Sequence, residues 1–178
     1  LASGSVTRAE LLKDAGVEFI QESVEFDEDS IVTSCPKNFV YQATHGKYET
    51  NRRAFGIKDY PLLVADTVVT SGGKILRKAK SEDDARSILQ TQSGSVTSII
   101  TCMNYEDTAK KIVDISSTNY IFDEFEDKDI DRYLKSGEWR GKAGACMVEG
   151  FCKKYIKKVH GFGSTAMGLN TELLKVFL

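Results

Sequence analysis

The sequence has few residues that can constrain the backbone or cross-link it, with two prolines and four cysteines in 178 residues. It lacks any run near the roughly 20 apolar residues that a membrane helix needs, and any basic-then-apolar leader. These absences predict a cytoplasmic protein. With 24 Lys+Arg against 26 Asp+Glu, the net charge of −2 argues against a globally basic nucleic-acid binder. Any polyanionic ligand must therefore meet a local cluster of cations.

Histidine and cysteine are scarce and scattered. His45 and His160 stand in unrelated segments with no cysteine at ligand spacing, which favours core or surface roles over metal binding. Cys146 and Cys152 are separated by five residues, whereas zinc sites usually have two to four. We expect the four cysteines to be buried thiols.

What the sequence does contain is an alternation of helical and strand-like segments, without a linker or an internal repeat. Periodicity and capping residues predict helices at about Thr7–Gly16, Pro36–Ala54, Ser81–Gln92, Ile130–Leu134 and Glu172–Leu178. Apolar and β-branched runs predict strands at Val17–Ile20, Pro61–Ala65, Lys74–Leu76, Val96–Met103, Ile112–Phe122 and Tyr155–Val159. The hairpin-rich middle favours a mixed, partly antiparallel sheet flanked by helices. We expect one domain, residues 1–178.

Asp66 is the first candidate for chemistry. It follows the apolar run Pro61–Ala65, which predicts a place at the carboxyl end of a buried strand, where open α/β sheets bind their ligands. A turn or capping aspartate is the alternative. Lys78 lies twelve residues further along, past a hairpin predicted at Gly72-Gly73, so a folded-back strand pair would return its ammonium to the same sheet edge. A solvated lysine is the alternative there.

A small-residue loop opens the chain. Residues 3–5 are Ser-Gly-Ser and precede a helix predicted from about Thr7, so backbone N–H groups and hydroxyls could converge there on an anion. Arg8 would lie beside that anion. The loop lacks the Gly-Lys-Ser/Thr ending of a P-loop, which makes the signal weak when taken alone.

A second loop, residues 136–145, has the most unusual composition in the chain. It combines three glycines with Arg140, Lys142 and the only tryptophan, Trp139. Such a loop could approach a phosphate closely and offer cations and an aromatic ring to a nucleotide. The alternative is a surface turn whose Trp139 covers the core.

Taken in chain order, these segments resemble the Maf family of septum formation inhibitor proteins, which hydrolyse nucleoside triphosphates to monophosphates and pyrophosphate. The motifs that carry the resemblance are Leu1-Ala2-Ser3-Gly4-Ser5 with Arg8, Asp66-Thr67-Val68-Val69, Lys78, Ser93-Gly94, Ser136-Gly137-Glu138, Lys142-Ala143-Gly144 and Gly168-Leu169. Each motif is common, but the ordered set is specific. The resemblance implies a fold similar to that of inosine triphosphate pyrophosphatases, with two lobes around a cleft, and a homodimer.

The resemblance also implies a set of functional residues. These are the catalytic Asp66, Lys78 and Lys47, the substrate-binding Ser3, Arg8, Lys142 and Glu149, and the metal-binding Glu28 and Asp66. Asp66 matches the family's proposed proton acceptor. Charge considerations agree, because a triphosphate carries close to four negative charges and needs concentrated cations. The implied cofactor, Mg²⁺ or Mn²⁺, requires carboxylate oxygens such as those of Glu28 and Asp66.

The chain departs from the family pattern at several positions. Val6-Thr7-Arg8 replaces Pro-Arg-Arg, Arg77-Lys78-Ala79 replaces Gly-Lys-Pro, and Glu149 replaces a glutamine. Glu149 with Trp139 upstream is similar to the branch acting on 7-methylated guanine nucleotides, whereas Asp66-Thr67 is like the thymidine and uridine triphosphate branch. These departures leave open a second function, a nucleotide-binding regulator of septum formation with little or no turnover.

Overall fold

The structure, a computed structural model, describes residues 1–146 and 148–178. Within these residues the helices are α1 (Val6–Asp14), α2 (Pro36–Phe55), α3 (Glu82–Gln92), α4 (Asp127–Ser136), α5 (Gly163–Ala166) and α6 (Thr171–Leu174). The strands are β1 (Leu62–Ser71), β2 (Lys74–Leu76), β3 (Val96–Glu106), β4 (Lys111–Phe122) and β5 (Ile156–His160). Short 3₁₀ turns occupy Glu28–Ser30 and Phe151–Tyr155. Among the described residues, every helix is too short or too polar to cross a bilayer.

The five strands form one sheet in the order β2-β1-β3-β4-β5. β1 and β2 are an antiparallel hairpin whose register runs from Val69 opposite Leu76 to Ser71 opposite Lys74. Gly72 and Gly73 both have positive φ, 56° and 76°, the conformation that this two-residue turn requires. β4 and β5 are also antiparallel. The chain therefore has the mixed α/β fold that was predicted, with its antiparallel sheet flanked by helices.

Contacts divide the chain into two compact units. The first unit comprises Leu1–Thr67, Ile100–Ser117 and Phe162–Leu178, and the second comprises Val68–Ile99 and Thr118–Gly161. The core of the first unit includes Leu11, Leu12, Leu63, Ala65, Met103, Tyr105, Leu169 and Leu174. The second contains a cluster of aromatic rings formed by Phe122, Phe125, Tyr133, Phe151 and Tyr155. The expectation of a single domain over residues 1–178 stays a prediction.

Local signals placed most helices correctly. Pro36 occupies the first turn of α2, where its missing N–H is not needed. Ser81 caps α3 by accepting a hydrogen bond from the Asp84 amide, and acidic residues fill the first turn of that helix. Gly137 ends α4 in the left-handed conformation, with φ of 73°.

Two predicted elements near the ends of the chain are wrong in whole or in part. Val17–Ile20 forms no strand, because that segment meets the chain start only through isolated hydrogen bonds, such as the one from the Leu1 amino group to the Ile20 carbonyl. The terminal helix covers Thr171–Leu174 rather than Glu172–Leu178. Val176 and Leu178 are exposed, so no apolar stripe holds a longer helix against the core.

Candidate active site

Asp66 lies inside strand β1 and not at its carboxyl end, so that prediction is wrong. The β-branched residues 67–70 extend the strand as far as Ser71. Asp66 is only 9% exposed, and a carboxylate that is buried to this extent needs a partner. The partner is Lys47, whose Nζ donates to Asp66 Oδ1 at 2.7 Å.

Lys47 joins two carboxylates. Its Nζ also lies 2.5 Å from Glu28 Oε1, at the start of a 3₁₀ turn that Asp27 caps. Lys47 itself projects from the middle of α2, which the apolar stripe of that helix fixes against the core. The structure thus brings together three of the predicted site residues, Glu28, Lys47 and Asp66.

The shared ammonium leaves both members of the buried pair with shifted pKa values. The pKa of Asp66 is raised chiefly by burial, and the negative charge of Glu28 adds to the rise, while Lys47 and Arg8 oppose it. Burial opposes the charge on Lys47, but the carboxylates of Asp66 and Glu28 outweigh it and raise the pKa of Lys47. Lys47 therefore stays protonated, while Asp66 holds a proton more readily than a solvated aspartate does.

Arg8 adds a second cation to the first unit. Its Nε donates to the Gly168 carbonyl at 2.8 Å, its Nη1 to Ser3 Oγ at 3.1 Å and its Nη2 to Thr67 Oγ1 at 3.1 Å. A guanidinium has five N–H donors, so two remain for a ligand. Burial lowers the pKa of Arg8, while Asp66 and Glu28 oppose that shift.

Sequence reasoning missed the hydroxyl chain that continues from Arg8. Thr101 Oγ1 donates its only proton to the Thr165 carbonyl at 2.7 Å, so Thr67 must be the donor in its 2.9 Å contact with Thr101. The Thr67 oxygen is then oriented to accept from Arg8. Thr67 was part of a recognised motif, but no sequence signal pointed to Thr101.

The remaining predicted residues, Lys78, Lys142 and Glu149, belong to the second unit. Lys78 forms an isolated antiparallel bridge with Ala143, and the Gly144 amide donates to the Arg77 carbonyl at 3.2 Å. This pairing brings the backbones that carry Lys78 and Lys142 together, while all three side chains are exposed.

Gly144 permits the close approach of its loop to Val69 of β1. Its φ is 67°, and a Cβ at this position would lie 2.8 Å from Val69 Cγ1. Trp139, in the same loop, is 1% exposed and its Nε1 donates to the Leu134 carbonyl at 3.0 Å. The ring therefore covers the core of the second unit, which is the simpler of its two predicted roles.

The prediction of four buried thiols is wrong for three cysteines. Cys146 and Cys152 form a disulfide, with their Cα atoms 6.4 Å apart, and Cys35 is exposed. Cys102 alone fits the prediction, and burial raises the pKa of its thiol to about 11. Glu149 lies between the two bonded cysteines in the sequence. Spacing could not reveal the bond, because two cysteines with five residues between them are compatible with many local folds.

Comparison with known proteins decides the family. The model of the Maf-like protein family matches residues 1–178. This chain belongs to the Maf-like protein family. The chain is 56% identical over 176 residues to a nucleoside triphosphate pyrophosphatase of a Nitratiruptor species, covering 98% of this chain and 95% of that protein.

Two further relatives carry the same name. The protein of Helicobacter pylori (strain Shi470) is 37% identical over 172 residues, which are 97% of this Maf-like chain and 90% of that protein. The protein of Campylobacter jejuni subsp. jejuni is 34% identical over 181 residues, with 100% and 98% coverage. These names describe a hydrolase, so they do not favour a regulator without turnover.

The two carboxylates of this Maf-like chain suit a hard divalent cation. Glu28 and Asp66 each place an oxygen within 2.7 Å of the same nitrogen, so both can converge on one small cation. Within residues 1–146 and 148–178 there is no cluster of three or more histidine, cysteine or acidic side chains that would cage a metal. Mg²⁺ commonly binds in this way, through one or two carboxylates with water and phosphate oxygens.

Proposed function

We propose that this Maf-like protein hydrolyses nucleoside triphosphates, including noncanonical or modified ones, to nucleoside monophosphates and pyrophosphate. The observation that carries the proposal is a buried aspartate, Asp66, that shares the ammonium of Lys47 with Glu28. A buried carboxylate with a raised pKa and a lysine partner is the arrangement expected of a general base. The name shared by the relatives agrees with this chemistry.

Asp66 acts in this proposal as the base. Lys47 Nζ donates to Oδ1, so we assign Oδ2 as the atom that accepts the proton of the attacking water. The water oxygen forms a bond to the α-phosphorus, and the bond between that phosphorus and the bridging oxygen of pyrophosphate breaks. Because burial raises the pKa of Asp66, its carboxylate is a stronger base than a solvated one.

Several cations are assigned to the phosphates. Arg8 offers its two remaining N–H donors, and the Ser3 hydroxyl stands beside it in the first unit. Lys78 and Lys142 are also assigned to phosphate oxygens, and Glu149 to the nucleobase, because the resemblance to the family implies these roles. Charge-assisted hydrogen bonds of this kind are about twice as strong as neutral ones.

We assign a divalent ion, Mg²⁺ or Mn²⁺, to Glu28 and Asp66. Such an ion, when bound, supplies a positive charge that polarises phosphoryl oxygens. Lys47 keeps both carboxylates in place before the ion arrives, since its ammonium contacts each of them. Hard oxygen donors favour these two ions over zinc, which is bound mostly by nitrogen and sulfur ligands.

The test is a panel of nucleoside triphosphates incubated with the purified protein and either Mg²⁺ or Mn²⁺. We expect stoichiometric pyrophosphate and nucleoside monophosphate. Orthophosphate with nucleoside diphosphate would place the cleavage at the wrong bond, and no product from any triphosphate would support the regulator instead.

The same panel tests base preference. Glu149 is an acceptor where the family usually keeps an amide, so we propose a preference shifted towards modified purines such as 7-methylguanosine triphosphate. A clear preference for unmodified thymidine or uridine triphosphate would contradict the role of Glu149. A Glu149→Gln variant restores the amide that the family usually has, so its preference should move back from modified purines towards unmodified nucleotides. This variant is the matched control.

We also propose a cytoplasmic homodimer that binds neither membranes nor nucleic acid. Sedimentation equilibrium would test the dimer, and a monomer at micromolar concentration would contradict it. Strong salt-dependent DNA binding would contradict the proposal that the protein does not bind nucleic acid. If an Asp66→Asn variant without turnover still altered septum formation in cells, the regulatory role would regain support.

A further inference from the structure

The segment before Glu28 contacts helix α2 at alternate residues, beginning with Val24. The Val24 amide donates to Asn51 Oδ1 at 2.7 Å, and Asn51 Nδ2 donates back to the Val24 carbonyl at 3.1 Å. The same Nδ2 donates to the Lys47 carbonyl at 2.7 Å, one turn earlier in the helix. Asn51 is 1% exposed. Its amide therefore ties the segment to the backbone of α2.

Phe26 makes the second contact, against Gly46 of α2. A Cβ at Gly46 would overlap Cζ and Cε2 of Phe26 and lie 2.6 Å from Cε1. Glycine inside a helix costs about 0.5–1 kcal/mol relative to alanine. The helix is thus less stable with glycine at this position, and the close approach of the Phe26 ring is what the glycine permits.

Glu28 makes the third contact, through Lys47. It follows Phe26 in a turn that is closed on itself, because Asp27 Oδ1 accepts from the Asp29 amide at 2.9 Å and Ser30 Oγ donates to the Asp27 carbonyl at 2.7 Å. Because the turn is closed in this way, the position of the Phe26 ring determines where the Glu28 carboxylate, two residues further along, can lie.

We propose that Gly46 and Asn51 are positioning residues that hold Phe26 and Val24 on α2 and thereby place the Glu28 carboxylate at the divalent ion. This inference rests on the proposed function, because it is there that Glu28 is assigned to the ion. Lys47 contacts Glu28 in a structure in which the segment lies on α2. The contacts at Val24 and Phe26 therefore supply a fixed position that an exposed turn would not have by itself.

The test uses the full chain and Mn²⁺ alone, with free Mn²⁺ measured by electron paramagnetic resonance. Gly46→Ala should raise the dissociation constant about 10- to 100-fold, the usual effect of disturbing a residue that supports a metal ligand. Phe26→Leu lacks the three ring atoms that the new methyl group would meet, so the double variant should regain most of the affinity. Gln42→Ala, an exposed change on the same helix, is the matched control and should bind Mn²⁺ normally.

Hydrogen exchange gives a readout that needs no metal. Peptides covering residues 22–31 should lose protection in Gly46→Ala and in Asn51→Ala. Adding Phe26→Leu should restore protection to Gly46→Ala but not to Asn51→Ala. Normal protection and affinity in Gly46→Ala, or no recovery in the double variant, would overturn the inference. A wild-type protein that neither binds Mn²⁺ nor releases pyrophosphate would instead overturn the proposed function, while exchange would still decide the positioning.

Discussion

Asp66 and Asp129 are two buried aspartates, one in each unit, whose pKa values move in opposite directions. Asp66 is 9% exposed and Asp129 is 5% exposed. Asp129 accepts hydrogen bonds from Lys154 Nζ and from Tyr155 Oη, and these donors lower its pKa despite its burial. The pKa of Asp66 is raised, chiefly by burial, even though Lys47 and Arg8 oppose the rise.

The difference lies in how many donors each carboxylate has to itself. Asp129 has two direct donors, and Arg132 adds a second positive charge at 3.4 Å. Asp66 shares Lys47 with Glu28, so one ammonium serves two anions. A fully satisfied carboxylate stabilises the fold and has little affinity for a proton, whereas an incompletely satisfied one retains the proton affinity that a base needs.

Exchanging each aspartate for asparagine should separate chemistry from structure, with the largest effect in the molecule. Asp66→Asn removes the base, and we expect kcat for pyrophosphate release to fall about 10²- to 10⁴-fold. Asp129→Asn keeps the shape of a side chain that has no role in the proposed reaction, so its kcat should stay near that of the wild type. Steady-state release of pyrophosphate measures both.

An active Asp66→Asn variant would mean that another group takes the proton. An Asp129→Asn variant that is folded but inactive would mean that the number of donors does not distinguish the two carboxylates. Circular dichroism on each variant keeps loss of fold apart from loss of chemistry.

The disulfide should matter for the surroundings of Asp129 and not for those of Asp66. Cys152 stands in the 3₁₀ turn, Phe151–Tyr155, that carries the donors to Asp129. A bond between cysteines six apart in sequence stabilises the folded state by about 2 kcal/mol, or about 30-fold in the folding equilibrium, in the chain-entropy account. Urea unfolding with and without dithiothreitol measures the difference.

Cys146→Ser, which has no disulfide to lose, is the control and should not respond to dithiothreitol. If reduction left the free energy of unfolding unchanged, the bond would contribute nothing to the second unit. If it weakened Mn²⁺ binding as much as it weakened the fold, Glu28 and Asp66 would depend on the bond as well.

Lys78 is a predicted site residue that the contacts around Asp66 do not include. Its side chain is exposed, so we expect it to bind substrate rather than to tune a buried base. Lys78→Met should raise KM about tenfold, the effect of losing one charge-assisted hydrogen bond of about 1.5 kcal/mol. Lys135→Met, another exposed lysine of the second unit, should leave KM unchanged. A fall in kcat alone would instead support the catalytic role that the resemblance implies for Lys78.

Local chemistry made much of the fold predictable. Ser81 at the start of α3 and Gly72-Gly73 in the β1–β2 turn act within a few residues of themselves, so the sequence displays their effect. The end of β1 was predicted too early because Asp66 was taken as the end of an apolar run. The β-branched residues after it continue the strand, and Lys47 makes an interior carboxylate tolerable.

The site was less predictable because its contacts join distant positions. Lys47 and Asp66 are 19 residues apart, and Thr101 and the Thr165 carbonyl are 64 apart. Composition carries no signal for such pairs. Glu28 and Lys47 were found only through the resemblance to the family, and no local pattern indicates that the ring of Phe26 packs against Gly46.

The dependence of stability on pH should carry opposite signs for the two aspartates. The folded pKa of Asp129 is lowered, so its contribution is fully present above the unfolded pKa, about 3.9, and is lost as the pH falls through the folded pKa. Asp129→Asn should therefore unfold at lower urea concentration than the wild type at pH 7. That gap should close as the pH falls below about 4.

Asp66 has a raised folded pKa, so its ionised form destabilises the fold at pH 7, and the fold gains stability as the pH falls through the folded value. Asp66→Asn, neutral at every pH, should thus match or exceed the wild type at pH 7 and lose that advantage on acidification. Urea unfolding at several pH values measures this small effect. A less stable Asp66→Asn at pH 7 would mean that the ion pair with Lys47 outweighs burial, and that Asp66 and Asp129 are alike after all.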